Sequence, residues 1–298
     1  SWNPPILKTS KEQRNWIVAT DRNVSIAFLQ NTQSENIEAI SETDATLHAF
    51  LPTHELTGFG FKANGDISTD PSRTRIVFDQ RTRDGIISIA KIISKLFDLL
   101  LKESVLPHHR GMLNALLPLH DPNIQQWQKR TFYSDLVSEI KNECKKFVPL
   151  ISIKPSWFNN SDFQVLSKIA KISSAPSIFN ERDEAIKFMR FLGAKESKLR
   201  DISSSFINAN ITNNGCAEIV SELIKLHETK QIDLVEINVE WAIFTSGGKN
   251  LSIKKIKEEK LIIDSSFIDL VSERTGGTGG LSRLIKALAG NELEANTL

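Results

Sequence analysis

Residues 50–76 read FLPTHELTGFGFKANGDISTDPSRTRI, and this stretch decides most of what the sequence says about the fold. The phenylalanines on either side of Gly60 alternate along the chain, which predicts a strand with one buried face. The glycines predict a β-bulge or a close approach of another group to the backbone. Asp70 and Pro71 predict a tight turn, and residues 75–78 predict a further short strand. The stretch therefore predicts sheet structure.

Apolar runs before this stretch predict more strands. Residues 16–19 and 24–29 flank turn-forming residues, so they predict a hairpin. Residues 45–51 predict the next strand, which Pro52 is expected to end. Residues 31–44 between them are polar and acidic, and they predict a solvated loop.

The strongest helix signal covers residues 84–104. Its apolar positions spread beyond a single face, which predicts burial on more than one side. Residues 105–123 contain prolines and histidines and predict a linker. We therefore predict an α+β fold in which a mixed sheet and one long helix form a first, transducer-like domain, residues 1–120. A mainly helical interaction domain with a small hairpin, residues 121–298, is predicted to follow.

Apolar residues at helical spacing recur through the second half of the chain. Ser161 and Gln164 have the spacing of a capping box, which predicts a helix start at Ser161. Gly193 is expected to end another helix. The predicted elements of this half are helices at residues 131–147, 161–172 and 181–193, a helix opening at Asn214, a hairpin at residues 251–263 and a last helix at residues 281–289.

Composition restricts the class of protein. The chain has 298 residues, of which 40% are hydrophobic and 24% charged, as in an ordinary soluble globular protein. Lys and Arg total 37 and Asp and Glu total 36, so the net charge of +1 argues against a protein that coats nucleic acid over its whole surface. Cys144 and Cys216 lie far apart in the sequence, which excludes a disulfide framework and favours a reducing compartment.

Residues 85–101 are the most apolar stretch, but charged residues interrupt it. We therefore predict a buried helix, no membrane partner and a cytoplasmic protein. The chain starts at Ser1, with neither an initiator methionine nor the pattern of a signal peptide. We interpret it as a piece of a longer protein.

The glycine-rich, histidine and cysteine motifs of the chain indicate structural rather than catalytic or ligand-binding roles. Residues 246–250 (SGGKN) lack the spacing of a phosphate-binding loop and predict a turn, and residues 276–280 (GGTGG) predict a flexible loop. The histidines within residues 108–120 predict a solvated loop rather than a metal site. Cys144 lies on a helix signal without a histidine partner and is predicted to be inert. We therefore expect no catalytic residue and no metal or cofactor in this chain, so that it is not an enzyme by itself.

Residues 254–260 mix lysines with glutamates. This run predicts a solvated surface. A phosphate-contacting basic patch is the alternative.

Four short motifs carry a family resemblance: Phe50-Leu51-Pro52, Thr57-Gly58, Asn64-Gly65-Asp66 and Ser72-Arg73. In this order they resemble the region after the ATP-binding head in large proteins with sacsin-like or plant NO VEIN-like ATPase domains of the histidine-kinase and heat-shock-chaperone kind. The resemblance covers about residues 13–105. Ile67 stands where the family usually has Phe, a conservative departure, and residues 121–298 carry no comparable match.

The resemblance implies that the ATP-binding head lies outside this chain, because the metal-holding helix, the DxGxG motif and the glycine-rich lid of such heads are not found here in order. ATP and Mg would then bind the full-length parent. The domain after such a head offers a basic residue to the γ-phosphate, for which Arg73 is the first candidate and Lys62 the second. A structural role stays open for both, such as Arg73 pairing with Asp66 or Asp70 to hold the turn.

We therefore expect a non-catalytic transducer and interaction segment of a larger ATPase of the gyrase, histidine-kinase and heat-shock-chaperone class. Its expected partners are the upstream ATP-binding domain of the same protein and a further protein. The resemblance extends to bacterial proteins, some of them tied to defence. The alternative is a nucleic-acid-binding module of a defence or repair protein.

Overall fold

The computed structural model is an α+β protein with a mixed sheet and several helices, as predicted. It describes residues 6–8, 15–102, 109–121, 131–208, 210–233 and 237–289. The chain divides into two compact units. The first unit comprises residues 1–151 and 175–195, and the second comprises residues 152–174 and 196–298.

The first unit contains the sheet and the long helix. Its strands are β1 (Ile6–Lys8), β2 (Asn15–Asp21), β3 (Val24–Gln30), β4 (Ile37–Glu38), β5 (Thr46–Ala49), β6 (Leu51–Leu56) and β7 (Lys62–Gly65). Helices are numbered along the whole chain. Those of the first unit are α1 (Gln80–Leu101), α2 (His109–Leu116), α3 (Phe132–Cys144), α5 (Ser177–Asn180) and α6 (Asp183–Phe191).

The strands form a mixed sheet in the order β1-β2-β3-β7-β5-β6, with β4 paired to β3. Neighbouring strands run antiparallel except β5 and β7, which run parallel. The predicted hairpin is formed by β2 and β3, which are paired along their whole length. The strand β6 lies at the edge of the sheet.

The two faces of the sheet differ in burial. Ile26, Leu47 and Ala63 lie side by side on β3, β5 and β7, and all three are buried. The helix α1 packs against β2 and β3. Because successive side chains of a strand point to opposite faces, Lys62 and Asn64 lie on the face opposite to Ala63. That face is more exposed.

The long helix α1 starts earlier than predicted because Asp79 caps it. The Asp79 side chain accepts a hydrogen bond from the backbone N–H of Thr82 at 3.0 Å. The helix packs against the sheet and also against α3, so the predicted burial on more than one side is confirmed.

Aromatic packing explains why residues 175–195 belong to the first unit. The ring of Phe97 on α1 lies 5.7 Å from that of Phe179 on α5 and 5.5 Å from that of Phe188 on α6, measured between centroids. This grouping differs from the predicted division at residue 120. The difference arises because α3, α5 and α6 bury their apolar faces with α1, which no linear pattern reports.

Pro52 does not end a strand, contrary to the sequence prediction. The chain reverses one residue after β5, at Phe50, and Pro52 lies inside β6 opposite His48. A proline is tolerated there because an edge strand has one row of backbone groups without strand partners.

Three more segments differ from their predictions. The predicted loop at residues 31–44 contains β4 and a short 3₁₀ turn, and the predicted linker at residues 105–123 contains α2. The strand predicted at residues 75–78 is absent from the described sheet. Of these four residues, only Ile76 forms a bridge, an isolated one with Thr69.

The second unit is mainly helical, as predicted. Its strands are β8 (Ser152–Ile153), β10 (Phe244–Ser246) and β11 (Lys249–Leu251), and β9 (Lys195–Glu196) lies where the chain enters this unit. Its helices are α4 (Asn160–Ala170), α7 (Leu199–Ile202), α8 (Asn213–Glu228), α9 (Ile253–Glu259), α10 (Ser265–Thr275) and α11 (Gly279–Ala289).

The hairpin of this unit is displaced from its predicted position. The strands β10 and β11 pair around Gly247 and Gly248, whose φ angles of +57° and +72° suit a tight hairpin turn. The predicted turn at residues 246–250 is therefore confirmed. The hairpin predicted at residues 251–263 is wrong, because Ser252 caps α9 by accepting a hydrogen bond from Lys255 N at 3.2 Å.

The starts of α4 and α8 cap each other. Asn159, not Ser161, is the N-cap of α4, and its side chain accepts a hydrogen bond from Asp162 N at 2.9 Å. The buried carboxylate of Asp162 accepts from Thr212 N at 3.0 Å and from Thr212 Oγ1 at 2.5 Å. Glu218 on α8 in turn accepts from Asn159 N at 3.0 Å.

Candidate functional site

The turn that carries Arg73 is held by the carboxylate of Asp70. This carboxylate accepts hydrogen bonds from Ser72 Oγ at 2.7 Å, from Thr74 N at 3.0 Å and from Arg75 N at 3.2 Å. The backbone N–H of Arg73 donates to the Asp70 carbonyl oxygen at 2.9 Å. Arg73 adopts a left-handed conformation with φ of +58°, which these bonds stabilise.

The same hydrogen bonds keep the Asp70 carboxylate ionised. The Ser72 hydroxyl lowers the pKa of Asp70 most, whereas burial, the next cause in size, raises it. The backbone N–H groups of Arg75 and Thr74 and the charge of Arg75 lower it further, so the pKa lies below its ordinary value. A charged carboxylate that accepts several hydrogen bonds gives the turn a fixed shape near neutral pH.

The turn is attached to the edge of the sheet. The carbonyl oxygen of Thr74 accepts a hydrogen bond from the backbone N–H of His54 on β6 at 2.7 Å. The side chain of Arg73 is exposed and forms no hydrogen bond or ion pair with any residue that the structure describes. Arg73 is therefore a free guanidinium on a rigid turn.

The structure does not contain the pairing that the sequence left open for Arg73. Asp66 instead forms an ion pair with Arg81 at the start of α1. Asp70 is occupied by Ser72 and by backbone N–H groups. Neither carboxylate holds Arg73.

Lys62, the second candidate, lies elsewhere on the sheet. Its ammonium group is 5.4 Å from the centroid of the Trp16 ring, within the range of a cation–π interaction. It also lies close enough to His48 to lower the pKa of that imidazole, after burial as the larger cause. Lys62 belongs to β7, and β5 separates β7 from β6, the strand to which the Arg73 turn is hydrogen-bonded. The two candidates are thus not brought together.

The remaining motif residues fix the backbone around the sheet edge. Thr57 is buried, and its hydroxyl donates to the Phe61 carbonyl oxygen at 2.9 Å. Gly58 has φ of +73°, and a Cβ atom there would lie 2.1 Å from Cδ2 of Tyr133. Only glycine suits both the conformation and the close approach of the ring.

Phe50 is a residue that sequence analysis missed as a functional candidate. It forms the tip between β5 and β6, has φ of +64°, and its side chain is 76% exposed. Asn64 Oδ1 accepts a hydrogen bond from its backbone N–H at 3.2 Å. A left-handed conformation costs a non-glycine residue roughly 1–2 kcal/mol. The only signal in the sequence was an apolar pair directly before a proline.

A cavity in the second unit has mixed chemistry. Its volume is about 570 Å³, and Trp157, Glu222 and Lys225 are among the residues that line it. Burial raises the pKa of Glu222, and the nearby Lys225 opposes this shift. Ser197 also lines the cavity, and its buried hydroxyl has no hydrogen-bond partner. The lining contains both carboxylates and cations, so it favours no single ligand charge.

The cysteines and histidines form no chemical constellation in the described part of the chain. Burial raises the pKa of both Cys144 and Cys216 to about 12, so each thiol stays protonated near neutral pH. His120 Nε2 lies 2.8 Å from a carboxylate oxygen of Glu42. His108 and the side chain of His109 lie outside the described residues. Among the residues that are described, no group of three or more potential ligands could hold a metal ion.

The lysines of residues 254–260 are partly neutralised by carboxylates. Lys254 Nζ lies 2.7 Å from a carboxylate oxygen of Glu240, and Lys255 Nζ lies 3.7 Å from one of Glu259. This favours the solvated surface over a phosphate-contacting patch.

Within the described ranges, no helix is both long and apolar enough to span a membrane. The chain matches no family model, no curated protein and no solved structure. The resemblance to sacsin-like ATPases therefore stays a prediction.

Proposed function

We propose that this chain is a non-catalytic transducer and interaction segment of a larger, cytoplasmic ATPase of the gyrase, histidine-kinase and heat-shock-chaperone class. The observation that carries the proposal is the Arg73 turn. A free guanidinium stands on a backbone that Asp70 holds and that His54 attaches to the edge of the sheet.

A γ-phosphate sensor needs a rigid backbone and a side chain that is not bonded within its own chain. The turn keeps its shape without using the guanidinium, so the side chain is available to a ligand from outside the chain. A guanidinium suits phosphate because its planar fork donates two hydrogen bonds at once. Lys62 is the weaker candidate, since its ammonium group already contacts the Trp16 ring.

In this proposal ATP and Mg bind an upstream head, and the first unit carries the nucleotide state to the second. The described residues offer no glycine-rich phosphate cradle: residues 246–250 form a hairpin turn, and Gly276 and Gly279 end α10 and begin α11. The second unit would then bind the protein partner.

The test is ATP turnover by the polypeptide that carries both the head and this chain. We expect Arg73→Ala to lower turnover by about 100-fold or more, the scale of losing a contact that stabilises transition-state charge. The melting temperature should not change, because the side chain supports nothing in the fold. Unchanged turnover would remove the sensing role.

Arg75→Ala is the matched control. It removes the same charge from the same turn, but the Arg75 guanidinium lies near the Asp70 carboxylate. We expect a loss of turnover of less than about threefold, as for a surface charge. An equal loss with both variants would mean that net charge alone matters. Titration calorimetry of this chain alone should show no ATP binding.

A further inference from the structure

The cavity of about 570 Å³ in the second unit adjoins a smaller one of about 400 Å³. Trp157, Glu222 and Lys225 line both of them, so these three residues lie where the two spaces meet. All residues of the two linings belong to the second unit. Both volumes fall within the range of pockets that hold small molecules, about 300–1,000 Å³.

The carboxylate of Glu222 lacks the hydrogen bonds that its burial demands. Its side chain is only 13% exposed, and it accepts no hydrogen bond from any residue that the structure describes. Its ion pair with Lys225 spans 3.8 Å, which is too long for a hydrogen bond, and the Lys225 side chain is 72% exposed.

Glu218, one turn earlier on α8, shows what a buried carboxylate of this helix normally has. Its side chain is also 13% exposed. It accepts hydrogen bonds from Asn159 N at 3.0 Å, from Asn159 Nδ2 at 2.8 Å and from Asn214 Nδ2 at 3.0 Å. Because buried charges are costly unless they are paired and hydrogen-bonded, Glu222 stands in contrast to its neighbour.

Other polar groups of the larger cavity differ in whether they have partners. Glu196, the second carboxylate of its lining, accepts a hydrogen bond from Ser156 N at 3.1 Å. Ser197 is buried, and its hydroxyl has no hydrogen-bond partner among the described residues. Glu222 and Ser197 are thus two polar groups of one cavity whose hydrogen bonds the described chain does not supply.

The rest of this lining combines apolar surface with positive charge. Trp157, Leu226 and Ile232 supply the apolar surface, and the exposed Lys198 and Lys225 supply the charge. An aromatic ring and a carboxylate both attract a cationic group. The lysines disfavour a ligand that is only cationic, and Glu222 disfavours one that is only anionic. A ligand with both charges suits the whole lining.

We propose that the larger cavity binds a small zwitterion, of which an apolar amino acid is the simplest example. Its ammonium group donates to the Glu222 carboxylate, its carboxylate lies against Lys198 or Lys225, and its apolar part packs on Trp157. This site goes beyond the proposed function, and its existence does not depend on the role of Arg73.

The test is titration calorimetry of the 298-residue chain with L-phenylalanine and with two analogues that each lack one charge. Phenethylamine keeps only the ammonium group, and 3-phenylpropionate keeps only the carboxylate. We expect phenylalanine to bind and each analogue to bind about 10-fold more weakly or less, because each loses a charge-assisted contact. L-leucine and L-tryptophan extend the titrations to a smaller and a larger side chain.

Glu222→Gln should weaken the binding of the amino acid by about 10-fold or more. Its melting temperature should not fall, because the carboxylate accepts no hydrogen bond within the described chain and burial disfavours its charge. Glu259→Gln is the matched control and should leave the affinity unchanged. The Glu259 carboxylate has a similar ion pair, 3.7 Å from Lys255 Nζ, but it is 52% exposed and lines neither cavity.

Four outcomes would overturn the inference. The first is that none of the three amino acids binds at millimolar concentration. The second is that an analogue with one charge binds as tightly as phenylalanine. The third is that Glu222→Gln and Glu259→Gln have equal affinities. The fourth is a lower melting temperature of Glu222→Gln, which would show that the carboxylate supports the fold instead of a ligand.

Discussion

The side-chain carbonyl of Asn64 accepts a hydrogen bond from the backbone N–H of Phe50 at 3.2 Å. This contact joins the strand β7 to the tip of the neighbouring hairpin, across a separation of 14 residues in the sequence. It also joins the FLP and NGD parts of the motif pattern. The sequence shows both parts but does not predict that they are in contact. The shape of the tip thus depends on a residue outside the hairpin.

Asn64→Ala should therefore loosen the tip without unfolding the sheet. We expect a loss of about 0.5–1 kcal/mol in the free energy of unfolding, since one partly exposed hydrogen bond is removed. The amide proton of Phe50 should exchange faster with deuterium, as seen by NMR. Ser25→Ala, on the adjacent strand opposite Asn64, is the control and should leave that amide unchanged. Unaltered exchange in Asn64→Ala would contradict the clamp.

Gly58→Ala should destabilise the first unit strongly. A Cβ atom would lie 2.1 Å from the Tyr133 ring, and φ is +73°, so both overpacking and backbone strain apply. We expect a loss of about 3 kcal/mol in urea denaturation. Gly247→Ala is the matched control, because φ is +57° there but nothing lies within 4 Å. It should cost its own unit only about 1 kcal/mol, and equal losses would exclude the ring contact as the cause.

The Asp70 turn should lose its order in acid. The pKa of Asp70 is lowered below its ordinary value of 3.8 in the folded chain, chiefly by the Ser72 hydroxyl. Its stabilising effect is therefore complete above pH 3.8 and is lost as the pH falls through the lowered pKa. The amide protons of Thr74 and Arg75 should then lose their protection from exchange, measured relative to an unstructured peptide at the same pH. Asp70→Ala should lack this protection at every pH, and protection in that variant would contradict the assignment.

Lys62→Gln should raise the pKa of His48. Burial and the positive charge of Lys62 hold that pKa below its ordinary value of 6.5, and the substitution removes the second cause only. Because the folded pKa is lowered, the contribution of His48 to stability is complete above pH 6.5 and declines below it. NMR titration of the imidazole protons measures the shift. Lys91→Gln on α1 is the control, and equal pKa values in both variants would contradict the coupling.

Asp162→Ala should unfold the second unit more easily. The buried carboxylate accepts hydrogen bonds from the backbone N–H and the hydroxyl of Thr212, and its loss removes both of these charge-assisted bonds. We expect a loss of about 3 kcal/mol in the free energy of unfolding. Asp269→Ala, at an exposed position of α10, should change it by less than about 0.5 kcal/mol. Similar losses in the two variants would show that the capping network is not structural.

Local patterns in the sequence determined the α+β class, the first hairpin, the long helix and most helices of the second half. These depend on periodicity and turn chemistry, which act between residues a few positions apart. The motif pattern also grouped the residues around Arg73. It could not separate a paired arginine from a free one, because Asp66 is taken by Arg81, a residue outside the motif.

The tertiary structure alone decided the features that depend on distant contacts. The ring of Phe97 packs against α5 and α6, which therefore belong to the first unit. Composition alone predicts a boundary at residue 120 and cannot report these distant contacts. From the sequence alone, Pro52 is expected to end a strand. The structure shows that its strand lies at the edge of the sheet, where a proline is tolerated. The exposed Phe50 has a left-handed conformation, and its backbone N–H is bonded to Asn64 on another strand. Local preference sets which elements form, whereas long-range packing and hydrogen bonds set which of them meet and which side chains remain free.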